Sequence, residues 1–145
     1  MYNLGMELQV GVKVLLKRSD GKYLLVKRSR KKYPDVSGSW DIVGGRIIVG
    51  ESLISNLRRE VKEETGLEIN GEPRLVAAQD ILRVAGKHVV RLTYVARARG
   101  KVKLDKEENE GFGWFSPKEL KILKDADVYL KEILGKLERA SDSRG

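Results

Sequence analysis

The N-terminal part of the chain alternates between short apolar runs and polar turns. Residues 7–16 are largely β-branched or aliphatic, the Ser-Asp-Gly-Lys turn signal at 19–22 follows, and residues 23–26 resume an apolar run. This pattern is typical of a β-hairpin. The basic segment 28–39 contains Pro34 and has neither helical nor strand periodicity. It therefore predicts a long loop, of a length that often has a binding role.

The rest of the chain alternates between strand-like runs and helical patterns. The predicted strands cover residues 40–43, 47–49, 75–82, 88–96 and 112–115. The predicted helices cover residues 52–65, a short stretch opened by Ser116 and Pro117, and residues 126–137. Gly66 should end the first helix, because glycine accepts the left-handed conformation. We expect one α+β domain over residues 1–145, with a frayed tail at 140–145.

Composition restricts the chemistry available to this domain. The 145 residues are 41% hydrophobic and 34% charged, which suits one folded core with a solvated surface. The chain has no Cys, so disulfides, thiolate zinc sites and Cys nucleophiles are excluded. A metal would have to use oxygen ligands or the single His88, which favours a hard cation such as Mg²⁺. Residues 1–9 lack a signal-peptide pattern and no apolar run reaches membrane-spanning length, so we expect a cytoplasmic protein with no membrane partner.

The net charge of +8 is spread along the chain and interleaved with acids. Such a charge steers anionic small molecules, and it leaves a nucleic-acid partner as an alternative that we do not favour. Within the basic loop 28–39, Arg28, Arg30 and Lys32 are candidates to bind substrate phosphates. The alternative is a solvated loop whose charges bind nothing specific.

The predicted helix 52–65 carries an unusual arrangement of acids. At about 100° per residue, one side of the helix is apolar and should face the core: Leu53, Ile54, Leu57 and Val61. Glu60 and Glu64 lie on or beside this stripe, and Glu63 lies next to them, near a helix end where the dipole disfavours negative charge. A divalent cation is the simplest way to neutralise them. The alternative is surface pairing with Arg58, Arg59 and Lys62.

Fixed residues in and around this helix also form a spaced pattern. In chain order the pattern reads Gly45, Glu51, Arg59-Glu60-Val61, Glu63-Glu64 and Gly66-Leu67. It reproduces every fixed position of the signature of the Nudix hydrolase family, which this segment closely resembles. A looser resemblance extends from the first hairpin to Leu120. The resemblance implies a Nudix fold, a mixed β-sheet sandwiched between α-helices, and an enzyme that acts on phosphoric anhydride bonds.

The resemblance implies roles for individual residues. Glu60, Glu63 and Glu64 would bind Mg²⁺, with Mn²⁺ as an alternative ion, and the backbone carbonyl of Gly44 would join them as a ligand. Arg59 would orient the glutamates by charge-assisted hydrogen bonds, to which a guanidinium fork is well suited.

Other positions complete the predicted site. Glu51 would support the metal, or would serve only as an acid favoured at a helix N-terminus. A loop acid commonly completes such sites, and within the acidic run 105–110 we prefer Glu110 as the further catalytic residue. Gly45 is a predicted substrate-binding residue, as is Phe112. The aromatic candidates for stacking on a base are Tyr33, Trp40 and Phe112.

Two departures from the family pattern are visible. Val43 stands where many members have Pro, and Asn56 replaces a commonly small apolar residue on the helix. Neither departure removes a predicted ligand. The Asn56 amide lies near Glu60 and Glu63 on the helix, so it would either tune the acidic site or reach solvent.

The favoured substrate is a (deoxy)nucleoside triphosphate, which would be hydrolysed to a monophosphate and pyrophosphate. The alternatives are an ADP-ribose or nucleotide-sugar hydrolase, a dinucleoside polyphosphate hydrolase and an RNA 5′-end pyrophosphohydrolase. A non-catalytic nucleotide-binding module is a further alternative of a different class. We expect a monomer or a homodimer.

Overall fold

We describe a computed structural model of the protein, which covers residues 5–34 and 38–142, with the backbone alone for residues 138–142. The strands are β1 (Glu7–Lys17), β2 (Tyr23–Arg28), β3 (Trp40–Asp41), β4 (Val43–Arg46), β5 (Glu68–Ile81), β6 (Lys87–Arg99) and β7 (Asn109–Phe115). The helices are α1 (Leu53–Thr65), α2 (Pro117–Ile122) and α3 (Val128–Asp142). The last residues of the expected tail, 143–145, lie outside the described residues.

The strands form one mixed sheet with the order β3-β2-β1-β6-β5. Strands β1 and β6 are parallel along their whole length, from the pair Glu7 and Lys87 to the pair Lys17 and Arg97. The other pairings are antiparallel, with β4 added to β1 and β7 added to β2. The edge of β1 therefore pairs with β4 over Gly11–Val14 and with β2 only at Lys17, which opens the sheet between them.

Two hydrophobic clusters fix the layers of the fold. Val12, Val14 and Leu16 of β1 pack on the α1 side, whereas Leu15 points to the α3 side, as the alternation of a strand requires. Helix α1 contributes Leu57 to the first cluster, and α3 contributes residues such as Leu130 to the second. The sheet thus lies between helices, and the prediction of an α+β architecture is confirmed.

The ends of the first helix match their sequence signals. The hydroxyl of Ser52 accepts from the backbone N–H of Ser55, and Gly66 adopts a left-handed φ of 73°. One apolar assignment was wrong, because Leu53 lies in the first turn and its side chain is 37% exposed. The stripe that packs on the sheet begins with Ile54 and Leu57.

The predicted strand at 47–49 was also wrong. The residues that pair with β1 are those of β4, which include Gly44 and Gly45, and a turn follows them. A Cβ on Gly44 would lie 1.9 Å from the Val12 carbonyl oxygen, and its φ is +147°. Only a glycine lets the two strands approach so closely. Val49 is left 94% exposed.

Candidate active site

A cavity of about 660 Å³ lies where the sheet opens beside β1. Its walls come from the C-terminal half of α1, the glycines of β4, the middle of β1 and β6, and the loops that precede β7 and α3. Glu60 and Glu64 of α1 line one side, which we call the acidic end, and Arg28 of β2 and Arg91 of β6 line another, which we call the basic end.

The acidic end is built on α1. The Glu60 side chain is 15% exposed and the Glu63 side chain 60% exposed. Glu64 is partly buried, and its carboxylate accepts the backbone N–H of Gly44 at 3.1 Å. Burial raises the pKa of Glu64 to about 7, against the attraction of Lys13 and of the Gly44 N–H, and the negative charge of Glu60 adds to the rise. The carboxylate would be ionised more readily next to a cation.

Arg59 connects the acids of the helix. One guanidinium nitrogen donates to Glu60 at 3.1 Å and to Glu63 at 3.4 Å, and the other donates to the Asn56 carbonyl at 2.7 Å. The guanidinium also lies 3.5 Å from the Glu51 carboxylate. Arg59 thus contacts two of the three glutamates that it was predicted to orient, Glu60 and Glu63, and none of its described contacts reaches Glu64.

Asn56 is a fully buried amide under this arrangement. Its carbonyl accepts from the Ile48 N–H at 2.8 Å, and its NH₂ group donates to the carbonyls of Glu51 and Ser52. The alternative that Asn56 reaches solvent is therefore wrong. The Asn56 side chain thus joins the loop before α1 to the helix by hydrogen bonds, and its carbonyl oxygen is the acceptor for Arg59.

The glycines beside the helix make room for the acids. A Cβ on Gly45 would lie between 2.8 and 3.0 Å from the atoms of the Glu60 carboxyl group. Any larger residue at this position would have to displace that carboxylate. The predicted role of Gly45 as a substrate-binding residue stays a prediction, but the structure shows why the position is a glycine.

The acidic run 105–110 contributes Asp105 and Glu108 to the cavity, whereas Glu110 is not among the lining residues. Glu108 accepts from the Tyr33 hydroxyl at 2.6 Å and from the Lys32 ammonium. Burial raises the pKa of Glu108, but these two hydrogen bonds and the nearby cations outweigh it and hold the pKa below its usual value. The carboxylate is therefore ionised at neutral pH.

Glu110 lies at a bulge in β7. Lys27 pairs with Gly111 and Arg28 with Asn109, so Glu110 is the extra residue of its strand. Its carboxylate lies 3.4 Å from Arg30 and 4.0 Å from Lys27. We chose Glu110 from its spacing before Trp114, and sequence spacing alone cannot reveal a bulge. The bulge changes the register of β7, and with it the direction of the Glu110 side chain.

A buried ion network forms the basic end, and sequence reasoning missed it. Asp41 is 1% exposed and contacts Arg91 at 3.0 Å, Arg28 at 2.7 Å and Lys13 at 3.4 Å. Arg91 also reaches the buried Asp127 at 3.2 Å. Burial raises the pKa of Asp41, but the three cations outweigh it and hold the pKa far below its usual range. The only sequence signal was the presence of charged residues inside apolar strands.

The remaining predicted substrate residues divide between the cavity and its surroundings. Arg28 lines the cavity, whereas Arg30 is tied to Glu110 and Lys32 to Glu108. Phe112 is 45% exposed and does not line the cavity. Of the other aromatic candidates, Tyr33 lines it, and Trp40 packs edge-on against Phe115 at 5.3 Å. Tyr129, which lies 5.1 Å from the Arg83 guanidinium, is an aromatic wall that the sequence did not predict.

The donor atoms at the acidic end suit a hard divalent ion. Among the described residues no group of three or more acidic or histidine side chains is arranged to hold a metal ion by itself. Mg²⁺ typically takes one or two carboxylates and completes its shell with water and substrate phosphates, so a converged cage is not required. The pKa of Glu64 is raised mainly by burial and further by the charges of Glu60 and Glu108, and a nearby cation would oppose both effects.

Comparison with known proteins shows the family to which the chain belongs. A family model described as NUDIX domain matches residues 7–135. A MutT-like protein of Streptomyces ambofaciens is 25% identical over 131 residues, which cover 90% of this chain and 78% of that protein. The human 8-oxo-dGDP phosphatase NUDT18 is 33% identical over 87 residues, which cover 60% of this chain but only 24% of that protein. The solution structure of the E. coli ORF135 protein superposes with a TM-score of 0.79 at 26% identity and covers 99% of this chain and 98% of that one.

The chain belongs to the NUDIX domain family, and the predicted Nudix fold is confirmed. Within that family it is a pyrophosphohydrolase, an enzyme that acts on phosphoric anhydride bonds. None of the described helices is long and apolar enough to cross a membrane.

Proposed function

We propose that the protein hydrolyses a (deoxy)nucleoside triphosphate to the monophosphate and pyrophosphate in a Mg²⁺-dependent reaction. The observation that carries the proposal is a single cavity that is lined both by the carboxylates of α1 and by the cations Lys13, Arg28 and Arg91. Its volume of about 660 Å³ lies within the range of small-molecule sites. An elongated anion such as a nucleotide would place its metal-bound phosphates at the acidic end.

Glu60, Glu63, Glu64 and the carbonyl of Gly44 would hold the metal. When bound, Mg²⁺ would offset the charge of the phosphates and lower the pKa of an attacking water. Arg59 acts as a positioning residue, since its hydrogen bonds fix Glu60 and Glu63 relative to each other. The burial of Glu60 and Glu64 lowers the local dielectric and strengthens their interaction with a cation.

Glu108 is the proposed proton acceptor from the attacking water. It lines the same cavity as Glu60 and Glu64. Its lowered pKa keeps it in the carboxylate form that can accept a proton, while the same shift makes it a weaker base than a glutamate with an ordinary pKa. The Tyr33 and Lys32 hydrogen bonds hold its side chain in place. Glu108 therefore replaces Glu110 as our proposal for the acid that completes the site.

The basic end would receive the part of the substrate that lies away from the metal. Lys13 and Arg28 line the cavity and are each only partly exposed, so they are placed to contact phosphate oxygens. Tyr129 offers an aromatic face next to Arg91 and Arg83. The activity named for the human relative, on a modified purine nucleotide, supports a nucleotide substrate of this size.

The proposal is tested by measuring Mg²⁺-dependent turnover of nucleoside triphosphates, nucleotide sugars, dinucleoside polyphosphates and triphosphorylated RNA, with pyrophosphate and phosphate quantified separately. We expect the triphosphates to give the highest kcat/KM and to release pyrophosphate. Glu64→Gln should lower kcat by about a hundredfold or more, because one metal ligand is lost. The matched control is Glu72→Gln, whose carboxylate is 88% exposed and remote from the cavity.

The outcomes separate the alternatives. An unchanged rate in both Glu63→Gln and Glu64→Gln would overturn the metal assignment. Tight nucleotide binding without turnover of any substrate would instead support a non-catalytic module. Preferred turnover of triphosphorylated RNA, with a steep dependence on salt, would replace the small-molecule substrate by an RNA end.

A further inference from the structure

A second cavity, of about 290 Å³, lies on the α3 side of the sheet, away from the first. Strand β1 contributes a lysine to each cavity: Lys13 lines the first and Lys17 lines the second. Four residues along a strand span about 13 Å, and Leu15 fills the core between the two lysines. The second cavity is therefore separate from the site assigned to hydrolysis.

Cations of three neighbouring strands line this second cavity. Lys17 of β1 and Arg97 of β6 are direct partners in the parallel ladder, and Arg97 in turn pairs with Asn70 of β5. Arg74 of β5 lines the same cavity. Like charges at paired positions of a sheet destabilise it. The arrangement thus has a cost in the absence of a counter-ion.

The described residues provide little compensation for these charges. None of their carboxylates lies within ion-pair distance of Lys17, Arg74 or Arg97. Glu72 lines the cavity, but it is 88% exposed and its described partner is Arg58 at 3.8 Å. The Nε atom of Arg74 is buried and makes no hydrogen bond within the described part of the chain. An unsatisfied buried donor is itself unfavourable.

The lining indicates what kind of anion would fit. Guanidinium groups and an ammonium group together are well suited to phosphate oxygens. A base would find no exposed aromatic face here, because the Tyr23 ring is 9% exposed and is covered by the Lys17 ammonium at 6.0 Å. The aliphatic residues that line the cavity are Val95, Ala96 and Leu137. The cavity therefore suits a compact phosphate group and not a whole nucleoside.

We propose that the second cavity binds a small phosphate anion, such as inorganic pyrophosphate or orthophosphate, between Lys17, Arg74 and Arg97. This binding would neutralise the paired cations and stabilise the end of the sheet that Leu137 of α3 covers. This binding does not depend on the hydrolytic reaction, so it can be tested independently of the proposed function.

The test is a titration of the full-length, metal-free, ¹⁵N-labelled protein with inorganic pyrophosphate and, in a parallel arm, with orthophosphate. We expect saturable shifts of the amides of Asn70, Gly71 and Arg97, whereas the amides of Gly44 and Gly45 report separately on the first cavity. The double variant Lys17→Gln/Arg97→Gln should weaken binding at the second cavity by about tenfold or more. The control Lys101→Gln/Lys118→Gln removes the same charge at exposed positions outside the cavity and should leave binding unchanged.

Thermal unfolding gives a second readout of the same proposal. Pyrophosphate should raise the Tm of the wild-type protein and of the control variant, but not that of Lys17→Gln/Arg97→Gln. Without anion, the double variant should be at least as stable as the wild type, because the repulsion between paired cations is removed. Absence of saturable shifts at Asn70, Gly71 and Arg97 would overturn the proposal. Equal binding by both double variants, or binding of RNA oligonucleotides but of neither phosphate anion at these residues, would overturn it as well.

Discussion

The backbone N–H of Gly44 donates to the carboxylate of Glu64 over 3.1 Å, and this bond joins β4 to the last turn of α1. The glycine is in turn held against β1, where its lack of a side chain permits contact with Val12. The position of the Glu64 carboxylate thus depends on a strand pairing as well as on its own helix. A side chain on Gly44 would force β4 away from β1, whereas a change at Gly45, which faces the Glu60 carboxyl group, should affect catalysis more than it affects the core.

Gly45→Ala should disturb Glu60 specifically. The added methyl group would come within 3.0 Å of the Glu60 carboxyl group, which lies at the end of a flexible side chain and can move aside. We expect kcat/KM with the preferred triphosphate to fall by about tenfold or more because a metal ligand is misplaced. Circular dichroism and the Tm should stay close to wild type.

A second glycine provides the matched control for that variant. Gly135 lies in α3, and a Cβ there would meet no atom of the described structure within 4 Å. Gly135→Ala should raise the free energy of unfolding by about 0.5–1 kcal/mol, since alanine is the better helix former, without changing kcat/KM. Equal activity losses in both glycine variants would contradict the specific role of Gly45.

Asn56→Ala should lower both stability and activity. It leaves the Ile48 N–H and the Glu51 carbonyl without their described partner, and it removes the Arg59 acceptor. The Ser52 carbonyl keeps only the backbone N–H of residue 56 as a donor. A loss of about 1–3 kcal/mol in the free energy of unfolding is expected from the unsatisfied groups, measured by urea denaturation. Ser55→Ala changes the neighbouring exposed residue and should alter neither quantity appreciably. A wild-type kcat in folded Asn56→Ala would show that Arg59 does not need this support.

Glu108→Gln and Glu110→Gln form a matched pair of variants only two residues apart. Only Glu108 lines the cavity, so its amide variant should lower kcat by about a hundredfold. Glu110→Gln loses only partly exposed contacts with Arg30 and Lys27 and should keep a near-normal rate. Steady-state kinetics at saturating Mg²⁺ distinguish the two variants. A larger loss of kcat in Glu110→Gln than in Glu108→Gln would show that Glu110, the acid predicted from sequence spacing, completes the site.

The buried Asp41 should make stability dependent on acid pH. Its folded-state pKa is lower than the unfolded value of about 4, so its ion pairs contribute fully above that value. The contribution is lost as the pH falls below about 4 towards the folded-state pKa. Asp41→Asn should lower the free energy of unfolding at pH 7 by about 3 kcal/mol or more, because Arg91 is left unpaired on that side. It should also flatten the acid limb of the stability profile.

Urea denaturation between pH 2.5 and 8 would check this prediction. Asp80→Asn serves as the control, because the Asp80 carboxylate is 66% exposed and pairs only with His88. A variant at Asp41 that matched Asp80→Asn at every pH would rule out a stabilising role for the buried network.

The sequence was sufficient to predict the structure wherever a local pattern of residues determined it. Ser52 and Gly66 defined the first helix, and the spacing of Glu60 and Glu64 placed both acids at the protein side of that helix. It was insufficient where pairing between distant segments decided the outcome. Nothing local to residues 47–49 shows that the preceding glycines take the place beside β1, and nothing local to Glu110 shows the bulge opposite Lys27.

The basic end of the cavity was hidden for the same reason. Asp41, Arg91 and Asp127 are far apart in the chain, and each alone is consistent with a surface charge. Their burial becomes apparent only when β3, β6 and the start of α3 meet. Sequence reasoning therefore identified the acids of α1, but of the basic end it identified only Arg28.

The parallel pairing of β1 with β6 has a consequence for how the chain folds. Each of its residue pairs joins positions about 80 residues apart, from Glu7 with Lys87 to Lys17 with Arg97. Contacts between residues so far apart in sequence form late, because the entropy cost of closing a long loop must be met before the contacts can stabilise the fold. During synthesis, the first strand must therefore remain unpaired on this edge until β6 has emerged. We infer that the apolar surface of β1 is the part of the nascent chain most in need of protection from aggregation.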